Sequence, residues 1–160
     1  MGDSYQTLSQ WLNGQEPAGQ QQKPPASPLP SDQGTILIID DEPDFLNIVS
    51  TLLWNYGYNI LAASSGLRGL NMLRHGVQDI HLVLLDYRMS GFDGEQTLQQ
   101  LRRLNPHVKV IAVTGVSSNE LPESFRNGTD YLIQKPVKSE VLLATIKEAL
   151  AASTVDSKQS

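Results

Sequence analysis

The chain has 160 residues, a net charge of −5, 39% apolar residues and no cysteine. This is enough for one domain with a real core but not for two full domains, and the rather low apolar share implies that part of the chain lies outside that core. The charge balance offers no basic patch for direct nucleic-acid binding. The missing cysteines exclude disulfides, thiolate catalysis and cysteine-ligated zinc.

The lack of cysteine fits a cytoplasmic setting. No apolar run approaches the length of a membrane span, and the N-terminus lacks the basic-then-apolar layout of a secretory signal. Near that end, Tyr5, Leu8, Trp11 and Leu12 fall at helical spacing. Isolated helices this short are marginal in water, so a frayed end is expected rather than a docking helix. Residues 14–34 are rich in Gln, Pro, Gly and Ser. They cannot bury enough surface to offset the entropy of ordering them. Residues 1–34 are therefore read as a flexible leader or linker, 35–152 as the domain, and 153–160 as a loose polar tail.

Within the domain, strand and helix patterns alternate. The first strand is expected over 35–40. A helix follows from Pro43, which suits a first turn, with Phe45, Leu46, Ile48, Val49, Leu52 and Leu53 facing inward; Gly57 ends it. The second strand spans 59–63, and a helix carrying Leu67, Leu70 and Leu73 runs to Gly76. The third strand spans 81–86. A loop over 87–94 leads to a helix with Leu98, Leu101 and Leu104, stopped by Asn105-Pro106. The fourth strand spans 108–113, and a short polar helix is expected over roughly 118–126. The fifth strand spans 131–133. The last helix runs over 139–152, with Val141, Leu142, Ile146 and Leu150 inward. Five strands alternating with five helices imply an α/β doubly wound parallel sheet with right-handed crossovers.

Several strands are continuous apolar runs, as expected of strands buried on both faces. The run Leu82-Val83-Leu84-Leu85 ends in Asp86, and Ile36-Leu37-Ile38-Ile39 ends in Asp40-Asp41. The fourth strand ends in Thr114, and Lys135 follows the fifth. In open α/β sheets ligands bind at the carboxyl ends of the strands. Carboxylates clustered there repel one another and raise a pKa unless a cation relieves them. Mg²⁺ suits the task, with Mn²⁺ as a substitute, since it takes one or two carboxylates and keeps water and phosphate oxygens for the rest. A carboxylate can attack phosphorus to form an aspartyl phosphate, provided cations neutralise the gathering charge. Alone, each of these residues is more often a turn, a cap or a solvated charge. Together, on the ends of different strands, they form a site.

The segments Ile38-Ile39-Asp40-Asp41-Glu42-Pro43, Leu84 to Gly94, Val113-Thr114-Gly115 and Gln134-Lys135-Pro136 resemble the signature set of the receiver domain of two-component response regulators. The resemblance covers about 35–150. It implies a flavodoxin-like receiver fold with strand order 2-1-3-4-5. It implies that Asp86 is the phosphoacceptor, that Asp41, Asp86 and the backbone carbonyl of Arg88 bind the metal directly, and that Asp40 acts through water. Thr114 matches the switch hydroxyl and Lys135 the phosphoryl-binding lysine, with a cis Lys135–Pro136 bond. It further implies a sensor histidine kinase or histidine phosphotransfer protein as donor, and an output partner on the face formed by helix four, strand five and helix five. Such a domain is a phosphoacceptor switch that catalyses only its own phosphorylation and dephosphorylation.

Three departures from the family pattern stand out. Ser90 replaces a common proline, a change expected to loosen the loop without touching a ligand. Leu132 stands where an aromatic is usual, and Tyr131 should point to the opposite face. Arg88, beside the site with Val116, is expected to restrict the approach of water. Few residues follow the last helix, so output is expected through a partner, through a phosphotransfer protein or through a domain upstream; a free-standing receiver and the receiver end of a hybrid kinase fit equally. A phosphorylation-independent pseudo-receiver is the alternative, although such proteins generally lack a site residue. A phosphatase of the haloacid dehalogenase type needs a second Asp where Arg88 stands. A flavin-binding protein needs phosphate-cradling loops where Asp40 and Asp41 stand.

Overall fold

The computed structural model describes residues 33–76, 79–91 and 93–156. The N-terminal helical spacing, nearly all of the Gln/Pro-rich stretch and residues 157–160 lie outside the described residues. The elements are β1 (Thr35–Ile39), α1 (Pro43–Asn55), β2 (Asn59–Ala63), α2 (Gly66–Arg74), β3 (Leu82–Leu85), α3 (Gly94–Leu104), β4 (Lys109–Thr114), α4 (Glu123–Gly128), β5 (Tyr131–Gln134) and α5 (Ser139–Asp156). The five strands form one sheet in the order β2-β1-β3-β4-β5, and every neighbouring pair is parallel.

The central strands β1 and β3 are buried at every position, which explains their unbroken apolar runs: helices cover both faces. Ile36, Ile38, Leu82, Leu84, Ile111 and Val113 pack on Val49 and Leu53 of α1 and Leu142 and Ile146 of α5. Leu37, Ile39, Val83, Leu85, Val110 and Ala112 pack on Leu70 of α2, Leu98 and Leu101 of α3 and Phe125 of α4. Each such fully buried side chain contributes about 1.5–3 kcal/mol. At the far edge, the Arg102 guanidinium donates to the carbonyls of Gly128 and Val108 and to Asp130, tying α3 to the start of β4 and the end of α4.

Several sequence expectations are corrected. Ile48 and Val141 are exposed rather than inward, and Leu67 and Leu104 are exposed as well, because each helix buries only a stripe and these residues fall outside it. The fourth helix begins at Glu123, not near 118. Residues before Pro122 turn instead, with Glu120 N–H donating to the Ser117 carbonyl at 2.9 Å. The last helix continues to Asp156, past the expected end at 152, and Ser153 Oγ donates back to the Ala149 carbonyl within it. No helix among the described residues is long and apolar enough to cross a membrane.

Candidate phosphoryl-acceptor site

Register places the site. Ile39 lies opposite Leu85 in the parallel β1–β3 pair, so the next residues, Asp40 and Asp86, leave the sheet side by side. Asp86 N–H donates to the Ile39 carbonyl at 3.0 Å. On the other side, Thr114 pairs with Gln134, and Lys135 N–H donates to the Thr114 carbonyl at 2.9 Å. Four strand ends thus converge on one edge. The loop after β3 folds tightly back: Gly94 N–H donates to the Tyr87 carbonyl at 2.9 Å. A Cβ on Gly94 would overlap the Asp86 carbonyl oxygen and the Tyr87 Cα.

Asp40, Asp41 and Asp86 each offer a carboxylate oxygen, and these oxygens lie within 4.8 Å of one another. Asp40 and Asp86 are buried, at 1% and 4% exposure. Lys135 Nζ lies 2.7 Å from Asp40 Oδ2 and 2.7 Å from Glu42 Oε1, and 4.1 Å from the centre of the Phe45 ring. Asp40 Oδ1 accepts the Glu42 N–H at 2.9 Å. Asp41 Oδ2 accepts both the Ser90 N–H and the Ser90 hydroxyl, each at 3.0 Å. Thr114 is buried and its hydroxyl oxygen accepts the Val116 N–H at 3.2 Å. The Lys135–Pro136 peptide is cis.

The electrostatics follow from these contacts. Burial pushes the Asp86 carboxyl up to about 6, against the pull of Lys135 and with the repulsion of Asp40. Burial also raises Asp40, outweighing its bonds to Lys135 and to the Glu42 N–H. Asp41 is held low, chiefly by the Ser90 N–H. Lys135 is raised: burial opposes its charge, but its hydrogen bonds to Asp40 and Glu42 prevail. Asp86 Oδ1 is buried without a hydrogen-bond partner among the described residues, an arrangement costly enough to demand an explanation.

Comparison with known proteins identifies the architecture. Residues 36–147 match the response regulator receiver domain family. The chain belongs to this family. This receiver is 42% identical over 118 residues to the transcriptional regulatory protein ZraR of Escherichia coli (strain K12), covering 72% of the chain and 26% of that relative. It is 32% identical over 120 residues to the sensor histidine kinase RcsC of Salmonella typhimurium, covering 72% of the chain and 12% of the relative. The chain therefore spans about a quarter or less of these relatives. Among solved structures, a CheY-like receiver domain protein from Methanospirillum hungatei superposes with a TM-score of 0.72 at 31% identity, covering 77% of this chain and 98% of that one. TrrA from Thermotoga maritima, solved in complex with Mg²⁺-BeF, superposes with a TM-score of 0.67 at 26% identity, covering 73% and 99%.

The receiver fold brings all six sequence-selected positions, Asp40, Asp41, Asp86, Arg88, Thr114 and Lys135, to the same edge of the sheet. The Arg88 side chain is exposed, and Val116 is buried. One expectation fails: Ser90 does touch a carboxylate of the cluster, through two hydrogen bonds to Asp41. Its distance in sequence from Asp41 concealed the contact, and only the missing proline hinted that the position was unusual. Sequence reading also missed Glu42 and Phe45 as supports of Lys135. Leu132 is 39% exposed and lines a shallow groove with Tyr131, Val141 and Thr145, while Tyr131 packs against the core on the α1/α5 side.

Proposed function

We propose that this receiver accepts a phosphoryl group from a phosphohistidine onto Asp86, in a Mg²⁺-dependent reaction, and that the change switches partner binding in a phosphorelay. The observation that carries this reading is the buried Asp86 Oδ1, unpartnered among the described residues, set between an acidic cluster on one side and Lys135 and Thr114 on the other. A hard divalent cation fits the oxygen-only donor set; the residues that would hold it are Asp41, Asp86 and the Arg88 carbonyl directly, and Asp40 through water. Bound there, Mg²⁺ (or Mn²⁺) supplies charge neutralisation for the carboxylates and the incoming phosphoryl oxygens.

The chain's own residues then have definite tasks. With its pKa near 6, Asp86 is mostly ionised at neutral pH and nucleophilic. Its free oxygen attacks phosphorus; a new O–P bond forms as the N–P bond to the donor imidazole breaks, and the electron pair returns to that nitrogen. Lys135 turns from Asp40 and Glu42 to the phosphoryl oxygens, and the Thr114 hydroxyl donates to one of them. The module is a phosphoacceptor rather than an enzyme acting on other substrates. The partners that fit are a sensor histidine kinase or histidine phosphotransfer protein as donor, and an output partner on the α4–β5–α5 face. With Leu132 in place of an aromatic, the coupling from Thr114 to that face differs from the usual family pattern.

The test is intact mass after incubation with Mg²⁺ and a small-molecule phosphodonor, with Asp86→Ala alongside. One added phosphoryl group in the parent, absent from the variant and abolished by chelation, is expected. No addition, together with no binding of beryllofluoride, overturns the reading in favour of a phosphorylation-independent interaction module.

A further inference from the structure

We propose that Ser90 is a metal-site positioning residue: its N–H and hydroxyl fix the ionised Asp41 carboxylate in the orientation that receives the divalent cation. This inference rests on the proposed function. Both bonds, each 3.0 Å, converge on one oxygen, Asp41 Oδ2, which reserves Oδ1 for a cation. They also cross between the loop after β1 and the loop after β3, joining residues 49 apart. The two acidic neighbours are treated differently. Asp40 is held by a cation, Lys135, whereas Asp41 is held by neutral donors that leave its full negative charge in the cluster. Asp41 is only partly buried, so without the clamp its side chain is free to turn toward solvent and away from the repulsion of Asp40 and Asp86. Hydrogen bonds that orient a ligating carboxylate raise metal affinity, and their removal typically costs about 10–100-fold. A proline at position 90 has neither donor. The serine therefore converts a loop position into part of the metal site.

The experiment is calorimetric titration of the full chain with Mg²⁺, with melting temperature in chelator measured in parallel. Ser90→Ala keeps the N–H and loses the hydroxyl; a rise in Kd of about 3- to 10-fold is expected, with the chelated melting temperature unchanged. Ser90→Thr restores the hydroxyl at an exposed position and is expected to restore the parent Kd within about twofold, a rescue that a general packing role would not produce. An unchanged or lower Kd in Ser90→Ala overturns the proposal, a lower one showing that Ser90 competes with the cation. Failure of Ser90→Thr to rescue also overturns it. If the parent itself binds no Mg²⁺, the metal-dependent function fails as well; parental binding that is insensitive to Ser90 defeats this inference alone.

Discussion

Lys135 gives its ammonium to Asp40, at 2.7 Å, and makes no hydrogen bond to the neighbouring Asp86 Oδ1. The lysine is thus held beside Asp86 rather than on it. The Asp40 side chain is 1% exposed and that of Lys135 14%, so this is a largely buried pair, and breaking such a pair by removing one partner is strongly destabilising. Lys135→Met is expected to lower stability by about 2–4 kcal/mol near pH 8. The loss is expected to be smaller at pH 5, because Asp40, raised by burial and without its cation in the variant, is protonated more readily than an ordinary carboxylate. The Glu42 side chain is 62% exposed, and its bond to Lys135 is worth no more than about 0.5 kcal/mol. Urea unfolding of Lys135→Met and Glu42→Gln at both pH values checks the contrast; equal losses would show that the Glu42 bond, not the buried Asp40 pair, carries the stabilisation.

Asp86 contributes to the pH dependence of the metal-free protein. Its folded pKa, about 6, lies above the usual 3.8. The folded chain therefore keeps a proton that the unfolded chain releases across this window. The stabilising contribution is complete below about pH 4 and is lost as pH rises through 6. Asp86→Asn, which resembles the protonated acid, is expected to stabilise the protein at pH 7.5 by on the order of 1–3 kcal/mol, and by far less at pH 4. Unfolding midpoints in chelator across pH 4–8 measure the difference. Added Mg²⁺ should raise the parent's stability by about 1.4 kcal/mol at ten times Kd and have a smaller effect on the variant.

Gly94 decides how closely the loop after β3 can return to Asp86. Its missing Cβ leaves room for the Asp86 carbonyl and the Tyr87 backbone, and backbone atoms cannot yield as a flexible side chain does. Gly94→Ala is expected to cost about 2 kcal/mol or more. It should also slow phosphorylation, since the displaced segment carries Asp86 and Arg88. A variant with parental stability and rate would show that the loop relaxes freely.

Arg88 lies exposed at the mouth of the site, where its guanidinium would screen the acyl phosphate from water. Arg88→Ala is expected to speed dephosphorylation severalfold while leaving the phosphorylated fraction sensitive to chelation. Following the decay of the mass-shifted species over time tests this, and an unchanged decay rate refutes the screening role.

Two unbroken apolar runs, each ending in a carboxylate, determined that β1 and β3 are buried on both faces and that Asp40, Asp41 and Asp86 leave the sheet at one edge. Apolar continuity and strand polarity are local properties, so this much is legible in the sequence. The strand order came from resemblance and was then seen in the sheet. Helix faces were less legible: Ile48, Leu67 and Val141 are apolar but exposed, because only the neighbouring element decides which stripe is covered. The tertiary structure alone decided that Ser90 grips Asp41, that Glu42 and Phe45 hold Lys135, and that one Asp86 oxygen is left without a partner among the described residues. These are contacts between loops distant in sequence, set by strand register and loop closure, and no local periodicity encodes them.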